Sequence, residues 1–371
     1  MGLNQMKTEF PMPPGLERLA SPGILIDADC VARNIRMMLS TVGDNASRLR
    51  PHVKTHKMAN VTRMQVESGI TKFKAATISE ANMIALHGGR DVLLAYQPVG
   101  PTVLQFANLI KNHPGVSFAT ILDHADTANN LANHLETVGL SARVFIDVDC
   151  GMHRTGIPLG DSLHALRQVI ESLPALTYAG LHVYDGHLHE PAAETRQCEA
   201  EKIINAVRSY DQQHPSATII GGGSPTFNYW ANSTNWECSP GTTLFWDHAY
   251  GSDFPELPFE IAVTLLTRII SKPGQDRICI DLGYKSIASE MALSNRLCLF
   301  GMPKAEIISH SEEHMVIGSD STAELRIGQP LLAIPRHVCP TMALHDSAAV
   351  IRDGRVTSER WTVTARNRHT A

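Results

Sequence analysis

The sequence lacks the features that would place the chain in a membrane or in an oxidising compartment. No apolar run approaches the ~18 residues of a membrane-spanning helix, and the N-terminal segment MGLNQMKTEFPMPPG has neither the apolar core nor the cleavage site of a secretory signal. The seven cysteines are an odd number, and no two of them form a CxxC pair. We therefore expect reduced thiols in a cytoplasmic protein instead of a disulfide framework.

An excess of positive charge is also missing, because the formal net charge is -5 at pH 7. Proteins that bind nucleic acid through its phosphates normally present a basic face, so we expect no nucleic-acid partner and no membrane partner. A local basic pocket for one phosphate is still compatible with this charge. The 371 residues, 43% of them hydrophobic, suit a globular enzyme with one large domain and one smaller domain.

Short apolar segments alternate with helical patterns over the first part of the chain. Such βαβ units predict a parallel sheet, and about seven or eight of them favour an α/β fold of the (β/α)8 TIM-barrel type. An open doubly wound sheet stays the alternative. The predicted strands are 24–27, 73–77, 91–96, 116–122, 142–149, 177–184 and 217–224.

The pattern changes after about residue 250, where apolar and polar residues alternate between Gly, Pro and Asn and helical periodicity is scarce. This pattern is typical of a mostly antiparallel β domain. We therefore place the barrel at residues 20–248, and the β domain at residues 1–19 and 249–371.

The segment RPHVKTHK (50–57) concentrates cationic side chains after a short apolar segment. It is either a solvated loop or the site of a lysine that forms a Schiff base with a carbonyl. The second interpretation assigns this role to Lys54, because the neighbouring cations Arg50, His52, His56 and Lys57 favour the unprotonated amine that attacks a carbonyl.

The segment GGGSPT (221–226) follows an apolar strand directly. Consecutive N–H groups in such a loop, with the hydroxyls of Ser224 and Thr226, can form a nest for a phosphate group. The alternative is a flexible turn. No GK[ST] follows, so this is not a Walker A loop.

Polar clusters follow two further strands. DVDCGMHRTGI (147–157) presents Arg154, which can bind a phenolate, a ring nitrogen or a carboxylate if the segment is not simply a capped surface loop. HVYDGHLH (182–189) presents Tyr184 with His187 and His189, which would share a face if the strand continued. This histidine pair is either structural or available for acid–base or metal chemistry.

In IPRHVCPT (334–341), His337 and Cys339 have the i, i+2 spacing that brings two side chains together on an extended segment. One imidazole and one thiolate suit a metal such as zinc. Two ligands alone are a weak zinc signal, so water, a substrate or another side chain would have to complete the coordination.

Taken together and in this order, RPHVKTHK, HRTG, YDGH, GGGSPT, SPGT and HVC resemble the fold-type III family that depends on pyridoxal 5′-phosphate (PLP). This family contains D-threonine aldolase, D-3-hydroxyaspartate aldolase and eukaryotic-type D-serine dehydratase. The resemblance extends from residue 21 to residue 341. It implies an alanine-racemase-like barrel followed by a β domain, with the active site between them, in a homodimer.

The resemblance also implies roles for individual residues. Lys54 would hold PLP, Arg154 and Tyr184 would lie near its ring, and His337 and Cys339 would bind a divalent metal. The family's aldolases often carry Asp where this chain has Cys339, and its D-serine dehydratases carry Cys and use zinc. Zinc is therefore favoured here, with manganese and magnesium still open. The phosphate contacts would be Gly222, Gly223, Thr226, Gly241 and Thr242.

The function that this resemblance implies is PLP- and metal-dependent cleavage of a small D-β-hydroxy amino acid to glycine and an aldehyde, with His187 or His189 as the base. Dehydration to a 2-oxo acid and ammonia is the alternative. YDGHLH is more similar to the aldolases and Cys339 to the dehydratases. Racemisation and a non-catalytic PLP-binding role are less favoured, and D-threonine, D-serine and D-3-hydroxyaspartate all remain candidate substrates.

Overall fold

A computed structural model describes residues 12–320 and 322–368. Its strands are β1 (Gly23–Asp27), β2 (Lys72–Ala75), β3 (Asp91–Leu94), β4 (Ser117–Leu122), β5 (Ala142–Val148), β6 (Leu176–Val183), β7 (Thr218–Gly221), β8 (Glu237–Cys238), β9 (Val263–Ser271), β10 (Arg277–Ile280), β11 (Leu297–Leu299), β12 (Glu306–His310), β13 (Met315–Gly318), β14 (Pro330–Pro335), β15 (Ser347–Arg352) and β16 (Arg355–Thr362). Its helices are α1 (Ala28–Thr41), α2 (Ala59–Glu67), α3 (Ile78–Leu86), α4 (Pro101–Asn112), α5 (Ala125–Thr137), α6 (Asp161–Glu171), α7 (Ala193–Gln213), α8 (Phe227–Ser233), α9 (His248–Asp253) and α10 (Val338–Ala343).

Strands β2 to β8 form a parallel sheet in the order in which they occur in the chain. Residues 49–53, termed the closing segment, pair with both edges of this sheet. Val53 donates its N–H to the carbonyl of Lys74 at one edge, and Arg50 donates to the carbonyl of Cys238 at the other. The predicted barrel is therefore confirmed, and the open sheet is excluded.

Side chains from successive barrel strands meet in one apolar cluster. Because parallel strands covered on both faces are buried throughout, they are expected to be nearly continuous apolar runs, as β4 and β5 are here. This burial explains why the predicted strands were recognisable from the sequence. The cluster contains Leu93, Ala119, Ile121, Phe145, Ala179 and Ile220.

The second sheet is mostly antiparallel, as predicted, with the path β12-β13-β10-β9-β1-β15-β16. Strand β14 pairs with β9 and with β11. Strand β1 belongs to this sheet, where it lies antiparallel to β9 and parallel to β15. Residues 24–27 are thus a strand, as predicted. The sequence did not show which of the two sheets contains this strand, because a buried central strand is equally apolar in either sheet.

The chain divides into two compact units. The barrel unit comprises residues 36–54, 59–241 and 365–368, and the sheet unit comprises residues 12–35, 55–58, 242–320 and 322–364. The boundaries drawn from the sequence, 20–248 and 249–371 with 1–19, stay a prediction, and residues 1–11 lie outside the described residues.

Among the helices of the described residues, none has the length and apolar character needed to span a bilayer. All seven cysteines lie in the described part of the chain, and none of them is joined in a disulfide.

Arg50 links the closing segment to both sides of the barrel unit. Its guanidinium group is fully buried and forms ion pairs with Asp91 at 2.8 Å and with Glu237 at 2.7 Å. Asp91 begins β3 and Glu237 begins β8. Two carboxylates therefore compensate the charge of Arg50. This charge was expected to act on Lys54, whereas the structure gives Arg50 a structural role.

We expect Arg50→Met to lower the free energy of unfolding by about 1.5–3 kcal/mol, because it removes the charged hydrogen bonds of a buried guanidinium group and leaves Asp91 and Glu237 paired only with the less buried Arg143 and Lys72. Chemical denaturation of the purified protein measures this loss. The matched control is Arg33→Met, since Arg33 pairs with Glu260 at an exposed position and such pairs contribute less than about 1 kcal/mol. Equal losses in the two variants would contradict the structural role of Arg50.

Candidate active site

The predicted functional segments of the barrel unit follow the carboxyl ends of barrel strands. Lys54 comes directly after the closing segment, Arg154 lies in the loop after β5, and Tyr184 comes directly after β6. The glycine loop, residues 221–226, begins at the last residue of β7. Because the strands are parallel, these segments share one end of the barrel, which is where enzymes of this fold place their active sites.

The ring of Tyr184 is the centre of a cationic cluster. The Nζ atom of Lys54 lies 6.0 Å from the ring centroid, and the Cζ atom of Arg154 lies 5.3 Å from it. The structure thus brings together three residues that the sequence proposed from separate motifs. The Nζ atom of Lys74, at 5.4 Å, is a further cation on the same ring that was not predicted.

Lys74 lies within β2 and is only 2% exposed. Burial lowers the pKa of Lys74 to about 7; the charges of Lys54 and Arg154 act in the same direction, and those of Asp147 and Asp185 oppose the shift. A lysine between two apolar residues of a buried strand was the available signal, because lysine is almost never fully buried without a partner.

A hydrogen-bonded chain connects Lys74 to β5 and β6. The Nδ1 atom of His182 lies 2.7 Å from one carboxylate oxygen of Asp147, and the hydroxyl of Thr155 donates to the other oxygen at 2.9 Å. Burial lowers the pKa of His182, which favours the neutral imidazole. A neutral His182 that donates from Nδ1 accepts at Nε2, which lies 3.4 Å from the Nζ atom of Lys74.

The predicted phosphate-binding loops of the barrel unit touch each other. Gly223 donates its N–H to the hydroxyl of Thr226, and Gly241 donates to the hydroxyl of Ser224. The N–H of Gly222 bonds to the carbonyl of the last residue of β6. These three N–H groups are therefore used within the protein, although the loops that carry them lie together as predicted.

Thr242, the remaining predicted phosphate contact, belongs to the sheet unit. It begins a short 3-10 turn, Thr242–Leu244, and is buried. Its role as a phosphate contact stays a prediction.

The glycines of the loop after β7 also have a packing role that the sequence did not reveal. A Cβ atom at Gly221 or Gly222 would overlap the ring of Trp230, and Gly222 has a φ of +77°. The Nε1 atom of Trp230 donates to Asp185 at 2.7 Å. Glycine is thus required here by an indole ring as well as by any anion that the loop binds.

His187 and His189 do not lie on a strand, because β6 ends at Val183 and Leu188 donates to the carbonyl of Asp185 in a turn. The condition under which they would share a strand face is therefore not met. His189 is exposed, and His187 is partly buried. The Nδ1 atom of His187 is buried without a hydrogen-bond partner in the part of the chain that the structure describes.

The proposed metal ligands lie in the sheet unit, but the segment that carries them is not extended as expected. Helix α10 begins at Val338, so Cys339 lies in its first turn and His337 precedes it. The buried carboxylate of Asp247 accepts the N–H of Val338 at 2.9 Å, and the hydroxyl of Thr341 donates to the carbonyl of His337. The bond from Val338 satisfies an N–H group that has no partner within the helix, which favours a helical start here.

The side chains of His337 and Cys339 nevertheless meet. Burial lowers the pKa of His337, but hydrogen bonds with Cys339 and Glu290 outweigh it and raise this pKa to about 9. The Nδ1 atom of His337 lies 2.7 Å from a carboxylate oxygen of Glu290. The Sγ atom of Cys339 lies 3.2 Å from the hydroxyl of Thr55, another residue of the sheet unit.

This donor set fits a zinc-like ion in its chemistry, because it offers one imidazole and one thiol with a carboxylate behind the imidazole. The fit is limited to two protein ligands. Within residues 12–320 and 322–368, no group of three or more His, Cys, Asp or Glu side chains is arranged to hold a metal ion.

Two family models match consecutive parts of the chain. The family model "Alanine racemase, N-terminal domain" matches residues 26–249, and the model "Putative serine dehydratase domain" matches residues 262–351. A D-threonine aldolase from Arthrobacter sp is 30% identical, over 96% of this chain and 96% of its own length. The chain belongs to the D-threonine aldolase and D-serine dehydratase family.

Two other members of this family are similar over nearly the whole chain. A 3-hydroxy-D-aspartate aldolase from Paracoccus denitrificans (strain Pd 1222) is 25% identical, over 97% of this chain and 96% of its own length. The crystal structure of D-threonine aldolase from Filomicrobium marinum superposes with a TM-score of 0.87 at 25% identity, covering 95% of this chain and 96% of that one.

We expect Gly221→Ala to lower the free energy of unfolding by about 1–3 kcal/mol, because its methyl group would overlap the buried ring of Trp230. Thermal or chemical denaturation measures the loss. Gly115→Ala is the matched control, since a Cβ atom there meets nothing within 4 Å. A Gly221→Ala variant as stable as the control would show that the indole ring does not require this glycine.

Proposed function

We propose that the chain is a PLP- and metal-dependent lyase that cleaves small D-β-hydroxy amino acids to glycine and an aldehyde. The observation that carries this proposal is the cluster of Lys54 and Arg154 on the ring of Tyr184, at the carboxyl end of the barrel. Similarity to a D-threonine aldolase along 96% of the chain supports the same conclusion.

The residues present fit PLP. The cofactor has an aldehyde that reacts with an amine, and a phosphate and a phenolate that need positive charge or N–H donors. Lys54 offers the amine, and Lys54, Lys74 and Arg154 together concentrate cationic groups on one ring. A Cβ atom at Gly223 would lie 3.3 Å from the ring of Tyr184, so the absence of a side chain at residue 223 leaves the space beside this ring open.

When bound at Lys54, PLP supplies an electron sink for the pair of electrons that a broken substrate bond leaves on Cα. The reaction then needs a base for the β-hydroxyl proton. As this proton leaves, the Cβ–O bond becomes a carbonyl, the Cα–Cβ bond breaks, and protonation at Cα gives glycine. We assign the base to His187 in preference to His189, because its buried Nδ1 atom is without a partner among the described residues and His189 is exposed.

His337 and Cys339 would hold the divalent ion, with zinc favoured by the thiol and manganese or magnesium as alternatives. Such an ion would supply Lewis acidity that lowers the pKa of a hydroxyl group. Glu290 positions His337 by accepting from its Nδ1 atom, which leaves Nε2 as the ligand atom.

Dehydration to a 2-oxo acid and ammonia is the second candidate function. Cys339 is the observation that favours it, since the family's D-serine dehydratases carry Cys at this position. The match to the serine dehydratase domain over residues 262–351 includes His337 and Cys339.

The compartment and the assembly also stay proposals. Seven cysteines without a disulfide support a reducing cytoplasm. A homodimer is expected from the family resemblance, with a small D-amino acid as substrate and with neither nucleic acid nor a membrane as partner.

The first experiment assays the purified protein with D-threonine, and separately with D-serine, for glycine plus aldehyde and for 2-oxo acid plus ammonia. We expect glycine and an aldehyde from D-threonine. We expect no turnover in Lys54→Ala. We also expect the visible absorbance of added PLP to stay that of the free cofactor, because this variant lacks the amine that holds PLP. Lys111→Ala, at an exposed position on α4, is the control.

Three results of this assay would change the assignment. A 2-oxo acid with ammonia would replace the aldolase assignment by the dehydratase assignment. Turnover by Lys54→Ala without added amine would contradict the role of Lys54. The absence of PLP from the wild-type protein after reconstitution would contradict the proposed function as a whole.

For the metal we expect His337→Ala to lose the bound ion, and Glu290→Gln to bind it roughly 10–100-fold more weakly, because Glu290 orients the imidazole. Metal content after dialysis, measured by atomic spectroscopy, and activity after chelation test this. His314→Ala, at an exposed position of the sheet unit, is the control. Normal metal content in His337→Ala would show that this pair does not hold the ion.

A further inference from the structure

Lys74 is a buried cation in the barrel unit to which neither the motifs nor the proposed reaction assign a role. It lies within β2, is 2% exposed, and has its Nζ atom 5.4 Å from the centroid of the Tyr184 ring. The proposed cofactor lysine, Lys54, and the guanidinium of Arg154 face the same ring. A third positive charge at this place needs a physical reason, because a buried ammonium group is costly without an anionic partner.

The described residues do not supply a direct anionic partner. The carboxylate nearest in the hydrogen-bonded chain, Asp147, accepts from His182 at one oxygen and from Thr155 at the other. Lys74 therefore reaches the imidazole of His182, at 3.4 Å, and not the carboxylate. Asp185 accepts from the indole N–H of Trp230, and no hydrogen bond or ion pair joins its carboxylate to Lys74 among the described residues.

The ammonium group of Lys74 keeps donors that the described residues do not use. An ammonium group has three N–H donors, and the side chain of Lys74 makes one hydrogen bond within residues 12–320 and 322–368. Burial also lowers the pKa of Lys74 to about 7. The protein alone therefore stabilises the charged form poorly, and an anion at this place would stabilise it.

PLP has two anionic groups, the phosphate and the phenolate oxygen. The glycine loops around residues 222–226 and 241 lie together as predicted for the phosphate, although the N–H groups of Gly222, Gly223 and Gly241 bond within the protein and would have to be released to bind it. If the phosphate binds there, the cations beside the Tyr184 ring are available to bind the phenolate oxygen. Arg154 is exposed, whereas Lys74 is enclosed, so a contact from Lys74 would be shielded from water and correspondingly strong.

We propose that Lys74 is a further cofactor-binding residue, which donates a charge-assisted hydrogen bond to the phenolate oxygen of PLP. This inference rests on the proposed function, because it requires PLP at Lys54. His182 and Asp147 act as positioning residues: Asp147 fixes the proton on Nδ1 of His182, and Nε2 of His182 orients the ammonium group of Lys74 toward the ligand.

The test measures dissociation constants of the purified apoprotein for PLP and for 3-deoxy-PLP, an analogue with hydrogen in place of the phenolic hydroxyl. We expect Lys74→Met to bind PLP roughly 10–100-fold more weakly than the wild type, as for loss of a hydrogen bond to a charged group. We expect it to bind the analogue with nearly the wild-type affinity. The wild type and the variant are each measured with both ligands. The difference in affinity that comes from the ligands themselves is the same for both proteins and therefore cancels.

Two controls distinguish a contact between Lys74 and the cofactor from a general effect of Lys74 on the folded structure. Lys111→Met, on the exposed side of α4, should bind both ligands like the wild type. Denaturation of the apoproteins should show Lys74→Met at least as stable as the wild type, because the substitution removes a buried charge and retains most of the side-chain volume. If Lys74→Met does not fold, Lys74→Gln, which keeps a neutral donor, is measured instead and should show the same selective loss to a smaller extent.

The outcomes separate this inference from the proposed function. An equal loss of affinity for PLP and for the analogue, or no loss for either, would overturn the role of Lys74 while PLP binding by the wild type stands. A wild-type protein that binds neither ligand would overturn the proposed function and, with it, this inference.

Discussion

Residues 49–53 pair on one side with β2 and on the other with β8, through hydrogen bonds such as Val53 N–H to Lys74 and Arg50 N–H to Cys238. This double pairing turns seven parallel strands into a closed barrel. It also fixes the position of Lys54, which follows the closing segment at once. The buried ion pairs of Arg50 with the first residues of β3 and β8 hold the same segment through its side chain. The placement of the proposed cofactor lysine therefore depends on barrel closure.

Closure has a second consequence, because it brings loops from distant parts of the chain to one end of the barrel. Arg154 and Tyr184 come from the loops after β5 and β6 and meet Lys54 there. Lys74 joins them from within β2. The result is a concentration of positive charge, in which the buried charge of Lys74 acts more strongly than a charge at the surface. Such a site suits a ligand that carries more than one negative group.

In the sheet unit, the proposed metal ligands depend on how a helix begins. Asp247 accepts the N–H of Val338, and α10 starts there. This start places Cys339 in the first helical turn, where its side chain meets that of His337. The sequence predicted that the two side chains meet, but the prediction assumed an extended segment. The pairing of side chains is therefore supported for a different geometric reason, and Glu290, which positions His337, was not predicted at all.

The sequence by itself determined the run of parallel strands, the antiparallel sheet and the family, because buried parallel strands are apolar throughout and because the motifs keep a distinctive order. It favoured a barrel, and the pairing of the closing segment with both sheet edges decided against the open sheet. It also provided Lys54, Arg154 and Tyr184 as separate candidates. Only the tertiary structure decided which residues meet.

Several of these decisions could not have been read from local sequence. Strand β1 belongs to the antiparallel sheet, Arg50 is compensated by carboxylates, and His187 and His189 lie in a turn. Lys74 becomes significant only through its burial beside Tyr184. The physical reason is that apolar periodicity reports local burial, whereas charge compensation and cofactor contacts depend on residues far apart in the chain.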